Sequence, residues 1–262
     1  MMNLSLLAKN CQTNPSPMAK KKGKNMSIYV IGDLHLSFQE NKPMNIFGKN
    51  WKNHENKIKE SWLKNVKDDD LVVLPGDFSW AMYLKNTYKD FEFLNSLPGK
   101  KLLLKGNHDY WWTTVTSMRN FLKENGFENI EFLYNSCYEF EKTIIVGTRG
   151  WNISDEADDK KMLKREALRL EMSIKKALEK SQDEPESKTI IAFMHYPPIT
   201  NKNIVNNELN EFIRILSENN IKKCYYGHLH GSSINEAVEG NYFGIDFKLV
   251  SADSLNFNLL KI

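Results

Sequence analysis

The chain reads as an α/β protein, because short strand-like runs closed by glycine or proline alternate with amphipathic helical stretches. Six apolar runs rich in Val, Ile, Leu and Tyr have strand length: Ser27–Ile31, Leu71–Leu74, Lys101–Leu104, Thr143–Val146, Thr189–Met194 and Lys222–Tyr226. Between them, apolar residues recur at helical spacing. Ile58, Trp62 and Val66 make one stripe, and Val115, Met118 and Leu122 a second. Leu163, Ala167, Leu170 and Ile174 make a third, and Leu209, Phe212 and Leu216 a fourth. In folds of this class the loops after the carboxyl ends of strands gather on one side, where ligands bind.

Taken in order, the runs share a grammar: each ends in polar residues. The first leads into Gly32, Asp33 and His35, the second into Gly76 and Asp77, and the third into Gly106, Asn107, His108 and Asp109. The fourth ends in Gly147, Arg149 and Trp151, the fifth in His195, Tyr196 and Pro197, and the sixth in Gly227, His228 and His230. The charged stretch Asp158–Lys180 reads as a solvated helix with i,i+4 charge pairs. Ser181–Ser187, acidic and serine-containing, reads as a surface loop.

Bulk properties set limits. The chain has 262 residues, 41% hydrophobic and 26% charged, enough for one substantial core in a soluble domain. A net charge of +3 is too small to argue for nucleic acid, and part of it comes from the Lys20, Lys21, Lys22 and Lys24 cluster. Cys11, Cys137 and Cys224 stand far apart and form no CxxC pair, so a reducing cytoplasm fits best. No apolar run is long enough to span a bilayer, and the first residues lack the features of a signal peptide. Residues 1–26 are expected to be a disordered extension, and 27–262 a single domain.

Singly, an Asp after a strand is an ordinary cap and a lone His an ordinary structural residue. The joint pattern at matching strand ends is what signals a site. Imidazole nitrogens with carboxylate and amide oxygens, and no thiolate, suit Mn, Fe, Zn, Co or Ni rather than an all-oxygen calcium cage. A carboxylate has two oxygens, so Asp77 can bridge two cations about 3.5–4 Å apart. Two divalent cations outweigh the two carboxylates Asp33 and Asp77, since Asn107 and four imidazoles are neutral. Such a site stays positive and attracts an anionic ester.

Asp33-Leu34-His35, Gly76-Asp77, Gly106-Asn107-His108-Asp109, His195 and Gly227-His228-Leu229-His230 resemble, in order, the five motifs of calcineurin-like metallophosphoesterases. The resemblance implies a sandwich of two central mixed β-sheets flanked by helices. It implies one divalent transition-metal ion on Asp33, His35, Asp77 and His230, and a second on Asp77, Asn107, His195 and His228, with Mn expected first. A hydroxide bridging the metals would attack phosphorus. His108 matches the family residue that contacts the phosphate or leaving group, by donating a proton or stabilising charge. Asp109 either orients that imidazole or caps a helix.

The departures narrow the substrate. The second motif continues Phe78-Ser79-Trp80 and the third reads Asn-His-Asp, unlike protein serine/threonine phosphatases. Trp80 stands where purple acid phosphatases place a tyrosine ligand. The pattern is closer to bacterial small-molecule phosphohydrolases, including a branch with the run Gly106–Trp112 and with His195-Tyr196-Pro197-Pro198. The expected reaction is hydrolysis of a small phosphomonoester or phosphodiester, with no membrane partner and an oligomeric state left open. A nuclease of the same superfamily, or a metal-binding scaffold without chemistry, are the alternatives. Arg149 and His54 are candidate substrate contacts; their bland counterparts are a surface salt bridge and a packed helix-face histidine. Tyr110, Trp111 and Trp112 either wall the pocket or pack their loop.

Overall fold

The computed structural model describes residues 26–40, 42–154, 156–182 and 188–262. Apart from Met26, the extension expected over 1–26 lies outside them, as does most of the loop expected over Ser181–Ser187.

In the first sheet, β1 (Ile28–Val30), β2 (Leu71–Pro75), β3 (Lys100–Leu104) and β4 (Ile130–Phe132) run parallel in that order. The second sheet holds β5 (Tyr138–Phe140), β6 (Thr143–Thr148), β7 (Thr189–Met194), β8 (Lys223–Tyr226), β9 (Gly240–Tyr242) and β10 (Ile245–Leu249). Its order is β5-β6-β7-β8-β10-β9, parallel at the centre, with β5 and β9 antiparallel at the edges. The chain then returns to the first sheet as β11 (Leu260–Lys261), antiparallel to β1. Both sheets are therefore mixed, as expected. Among the described residues no helix is long and apolar enough to cross a membrane.

Strand alternation explains how the layers pack. Val30, Leu71, Val73, Leu102 and Leu104 point inward and meet Ile145, Ile191, Phe193 and Tyr225 of the second sheet. Their neighbours Tyr29, Ile31, Val72, Leu74 and Leu103 point outward, onto α1 (His54–Asn65), α2 (Tyr88–Asn95) and α3 (Val115–Glu124). On the other side Ile144, Val146, Ala192, Met194, Cys224 and Tyr226 face α4 (Ala157–Gln182) and, beyond the short α5 (Asn201–Asn206), α6 (Glu211–Glu218). The result is four layers, helix–sheet–sheet–helix. Both faces of each sheet are covered, so the central strands read as continuous apolar runs rather than alternating ones. Each fully buried Ile, Leu, Val or Phe contributes roughly 1.5–3 kcal/mol to that arrangement.

Helix starts follow local chemistry. Thr114 caps α3 by accepting from the Ser117 N–H at 3.2 Å, and Asn210 caps α6 by accepting from Ile213 N–H at 3.0 Å. The Asn210 cap is why Leu209, expected on the helical stripe, lies outside α6 and is 52% exposed. All six expected strands form, and α4 covers the expected Asp158–Lys180 stretch.

Candidate metal centre

The carboxyl ends of β1, β2, β3, β7 and β8 lie together, and their loops are stitched before any side chain is considered. Asp33 N–H donates to the Gly76 carbonyl at 2.9 Å, His35 N–H to Asp77 O at 3.0 Å, and Leu36 N–H to Phe78 O at 2.9 Å. Gly227 N–H donates to His195 O at 3.1 Å, tying the β7 and β8 ends. Gly32 N–H donates to Val250 O at 2.7 Å, linking the first sheet to the end of β10. Asp33, His35, Asp77 and His228 all adopt positive φ, between 46° and 76°, which non-glycine residues rarely do. Such strain clusters at functional sites.

Two glycines make the close approach possible. A Cβ on Gly106 would stand 2.0 Å from Asp77 Oδ1, and one on Gly227 would stand 2.3 Å from Asp33 Oδ2. Only bare backbone leaves room for either carboxylate.

All seven expected ligands converge. His35 Nε2, His230 Nε2 and Asp33 Oδ1 meet, with His35–His230 at 3.3 Å and His230–Asp33 at 3.2 Å. Asp77 Oδ2 lies 3.8 Å from His35 Nε2 and 3.6 Å from His195 Nε2, between the two halves of the site. Asn107 Oδ1 faces His195 Nε2 at 2.6 Å and His228 Nδ1 at 2.8 Å. Two triads, Asp33–His35–His230 and Asp33–Asp77–His195, each have ligand atoms within 4.8 Å of one another.

The donor chemistry fits cations. His195 Nδ1 points at the Pro75 carbonyl at 3.1 Å, so the proton sits there and Nε2 turns a lone pair toward the Asn107 oxygen. An imidazole lone pair and an amide oxygen facing each other at 2.6 Å repel unless a positive charge lies between them. Nδ1 of His35 is buried with no hydrogen-bond partner. Burial, with the neighbouring Asp33 charge, pushes the Asp77 carboxyl up to about 8. Burial and neighbouring His230 hold His35 well below the ordinary histidine range. His230 goes the other way: burial lowers it, but Asp33 and Asp253 outweigh that and raise it to about 10. These residues suit divalent transition metals of the kind imidazole and carboxylate oxygens bind.

Around them lies a supporting shell. Asp253 Oδ1 accepts from His230 Nδ1 at 2.8 Å and Oδ2 from Gly231 N–H at 2.9 Å, fixing the His230 ring. Sequence reasoning missed Asp253. The signal was present, since the run Ile245–Val250 ends in Ser251-Ala252-Asp253 as the other runs end in their ligands. The Trp80 ring stacks on His35 at 4.8 Å and carries Lys42 Nζ 3.3 Å above it.

The remaining expected residues take varied places. His108 is half-buried against the Trp80 ring at 4.3 Å, and its N–H donates to Asp77 Oδ1 at 2.8 Å. Burial and His195 lower its pKa to about 4. Asp109 does not touch the His108 ring. It is fully buried and accepts from the N–H groups of Asp77 (2.9 Å), Phe78 (3.0 Å), Ser79 (3.3 Å) and Gly106 (2.7 Å), and from Trp111 Nε1 (3.0 Å). It positions the Asp77 loop instead. Burial, and the nearby Asp77, push its carboxyl up to about 7. His54 is buried with Nδ1 on Trp51 O (3.2 Å) and Nε2 on Leu34 O (3.0 Å), so neither nitrogen is left for a substrate. Arg149 lies beside the centre: its carbonyl accepts from the N–H groups of His195 (3.2 Å) and Tyr196 (2.9 Å). Trp111 and Trp112 pack in the core, whereas Tyr110 is 55% exposed.

Beyond His228 opens a cleft of about 530 Å³ lined by Trp151, Tyr196, Ile199, Thr200 and Leu229. The Tyr196 ring packs against that of His228, centroids 4.2 Å apart and tilted by 38°. A larger cleft of about 860 Å³ lies around Lys101 and Glu131, at the opposite ends of the strands.

The family model for calcineurin-like phosphoesterases matches residues 26–232, a span that holds all seven converging residues. A solved structure from Thermus thermophilus is similar with a TM-score of 0.54 at 11% identity, over 90% of this chain and 98% of its own. The phosphopantetheinyl hydrolase of Mycobacterium tuberculosis aligns at 0.49 and 14% identity, covering 90% of this chain and 95% of that one. A protein of unknown function from Aquifex aeolicus aligns at 0.48 and 19% identity, covering 90% and 96%. No curated protein sequence matches.

Proposed function

The chain belongs to the calcineurin-like phosphoesterase family, and from that premise we propose that it hydrolyses a phosphate ester of a small molecule using two divalent transition-metal ions, Mn first among them. The observation that carries the reading is the convergence of seven ligand-type side chains from the loops of both sheets. Asp33, His35, Asp77 and His230 would hold one cation, and Asp77, Asn107, His195 and His228 the other. Bound cations would supply Lewis-acid polarisation of the phosphoryl oxygens and acidify water.

The chain's own residues do the rest. Asp77 presents Oδ2 to both halves, while its Oδ1 is pinned by the His108 N–H. Asp253 and the Pro75 carbonyl hold the tautomers of His230 and His195, so each ring offers Nε2 inward. His108, at the edge of the site, stabilises charge on the departing oxygen by hydrogen bonding. The cleft walled by Trp151 and Tyr196 receives the organic part of the ester and keeps water away from it. The scattered cysteines support a reducing cytoplasmic setting.

The test uses metal-stripped protein with an aryl phosphomonoester and an aryl phosphodiester, with and without Mn²⁺. Turnover that needs the metal and falls to background in Asp77→Ala is expected, and the preferred ester sorts monoesterase from diesterase. Equal turnover without metal, or activity surviving in Asp77→Ala, would overturn the reading.

A further inference from the structure

Beside the metal centre lies a concentration of positive charge that the proposed chemistry leaves unused. Lys105 follows β3 just before Gly106, Arg149 follows β6, and Arg165 and Arg169 stand four residues apart on α4. With Trp112 and Tyr134 they line a cleft of about 340 Å³ whose wall contains no acidic residue. The carboxylate of the cluster, Glu166, is fully buried beneath it. It accepts from Arg169 Nη1 at 2.6 Å, Arg149 Nη2 at 3.5 Å and Thr148 Oγ1 at 2.6 Å. One carboxylate therefore holds two guanidiniums in place and compensates one of four cations. Among the described residues, neither Lys105 nor Arg165 has an acidic partner within ion-pair distance.

Unspent donors point the same way. Arg149 Nε and Trp112 Nε1 are buried with no hydrogen-bond acceptor, and Trp112 as a whole is 8% exposed. Leaving such a donor unmet is destabilising, and four clustered cations repel one another besides. An oxyanion in the cleft relieves that repulsion, since guanidinium groups match phosphate and carboxylate oxygens with paired hydrogen bonds. The cleft also adjoins the centre. Arg149 bonds His195 through its carbonyl, and Lys105 is two residues from Asn107, at most about 7 Å along the chain.

We propose that this cleft receives a second oxyanion group of the substrate, so that the enzyme selects phosphate esters carrying another phosphate or carboxylate on the organic moiety. The proposal rests on the phosphoesterase reading above for its catalytic part. Lys105, Arg149, Arg165 and Arg169 contact the distal anion, and Glu166 is a positioning residue for the two arginines it bonds.

The experiment has two arms. In the first, Mn²⁺-loaded full-length protein is given aryl phosphate esters that differ only in a tethered tail: neutral methyl, carboxylate or phosphonate. Wild-type kcat/KM is expected to favour an anionic tail at least tenfold over methyl, and the better tail tells carboxylate from phosphate. That ratio should collapse toward one in Arg165→Glu, and return in part in Arg165→Lys. In the second arm inorganic phosphate is titrated calorimetrically into metal-stripped protein, where the centre offers no cations. Saturable binding that weakens at least tenfold in Arg165→Glu and in Lys105→Glu is expected. Equal use of all tails, or a preference that survives in Arg165→Glu, overturns the proposal. So does phosphate binding that is absent from wild type or unchanged in the variants. No turnover of any ester alongside variant-sensitive phosphate binding would instead sink the phosphoesterase reading and leave the anion cleft standing.

Discussion

Gly227→Ala is a steric test of the candidate metal centre that substitutes none of its proposed ligands. Gly227 does not occupy the left-handed region, so alanine adopts its backbone conformation without strain. The new methyl would lie 2.3 Å from Asp33 Oδ2, which is 0.7 Å inside the 3.0 Å floor for such contacts. Something must move by about that distance. The Asp33 carboxylate is the mobile party; it accepts from the His228 N–H at 3.0 and 3.1 Å and faces His230 Nε2 at 3.2 Å, contacts that a shift would disturb. Ligand bonds to such metals are about 2.0–2.2 Å and tolerate about 0.2 Å, so a shift of that size costs one good ligand. A loss of roughly 10–100-fold in Mn²⁺ affinity follows, or about 1.4–2.8 kcal/mol. Mn²⁺ titrated calorimetrically into metal-stripped wild type and variant gives the affinities, and circular dichroism checks the fold. Wild-type affinity in a folded Gly227→Ala protein would refute the assignment of Asp33 as a ligand.

Asp253→Asn removes the charge that fixes His230 while keeping its shape, and should weaken Mn²⁺ binding roughly 10–100-fold, measured by the same titration. Lys101 tests electrostatics far from the centre. Its side chain is buried at 1% exposure, donates to the Leu97 carbonyl, and has its pKa lowered by burial from 10.5 to about 7. The unfolded chain therefore binds a proton that the folded chain releases between those values, so the Lys101 contribution to stability, read as the difference between wild type and Lys101→Met, should rise with pH from about 7 to 10 and be flat below 7. Lys101→Met should remove that rise and stabilise the protein at pH 7 by roughly 1–3 kcal/mol after the lost hydrogen bond. Urea unfolding at pH 7 and pH 10 checks both points, and an unchanged pH slope in the variant would count against the assignment.

Strand ends carried most of what the sequence made legible. β1, β2, β3, β7 and β8 are apolar runs that stop at candidate ligands, so their identity and their common pole follow from local pattern. β4 is three residues long, too short for any period to register, and α2 buries Asp90 on its inner face, which breaks the amphipathic signal. Side-chain direction was harder. Asp109 was legible as a residue near the site but not as a support for the Asp77 loop, because most of its partners are backbone amides about thirty positions away. His54 was placed correctly on a helix start, yet its ring turns to the carbonyls of Trp51 and Leu34, a choice no spacing encodes. Asp253 obeys the same grammar as the candidate ligands, but it lies beyond the last of the five motifs and so carries no family signal. The arginines of α4 looked like ordinary solvated charge. Only the fold brings them to Lys105 and Arg149.

The split of the ligands between the two sheets has a mechanical side. Asp33, His35, Asp77 and Asn107 hang from the first sheet, whereas His195, His228 and His230 hang from the second. Cations shared between them would act as rivets through the seam, adding to the apolar contacts and to hydrogen bonds such as Gly32 N–H to Val250 O that already join the layers. With the centre loaded, prying the sheets apart at that end would mean breaking coordination bonds, and metal loading would correspondingly stiffen the whole sandwich. Occupancy of the centre would thus become a gauge of how closely the two halves are seated.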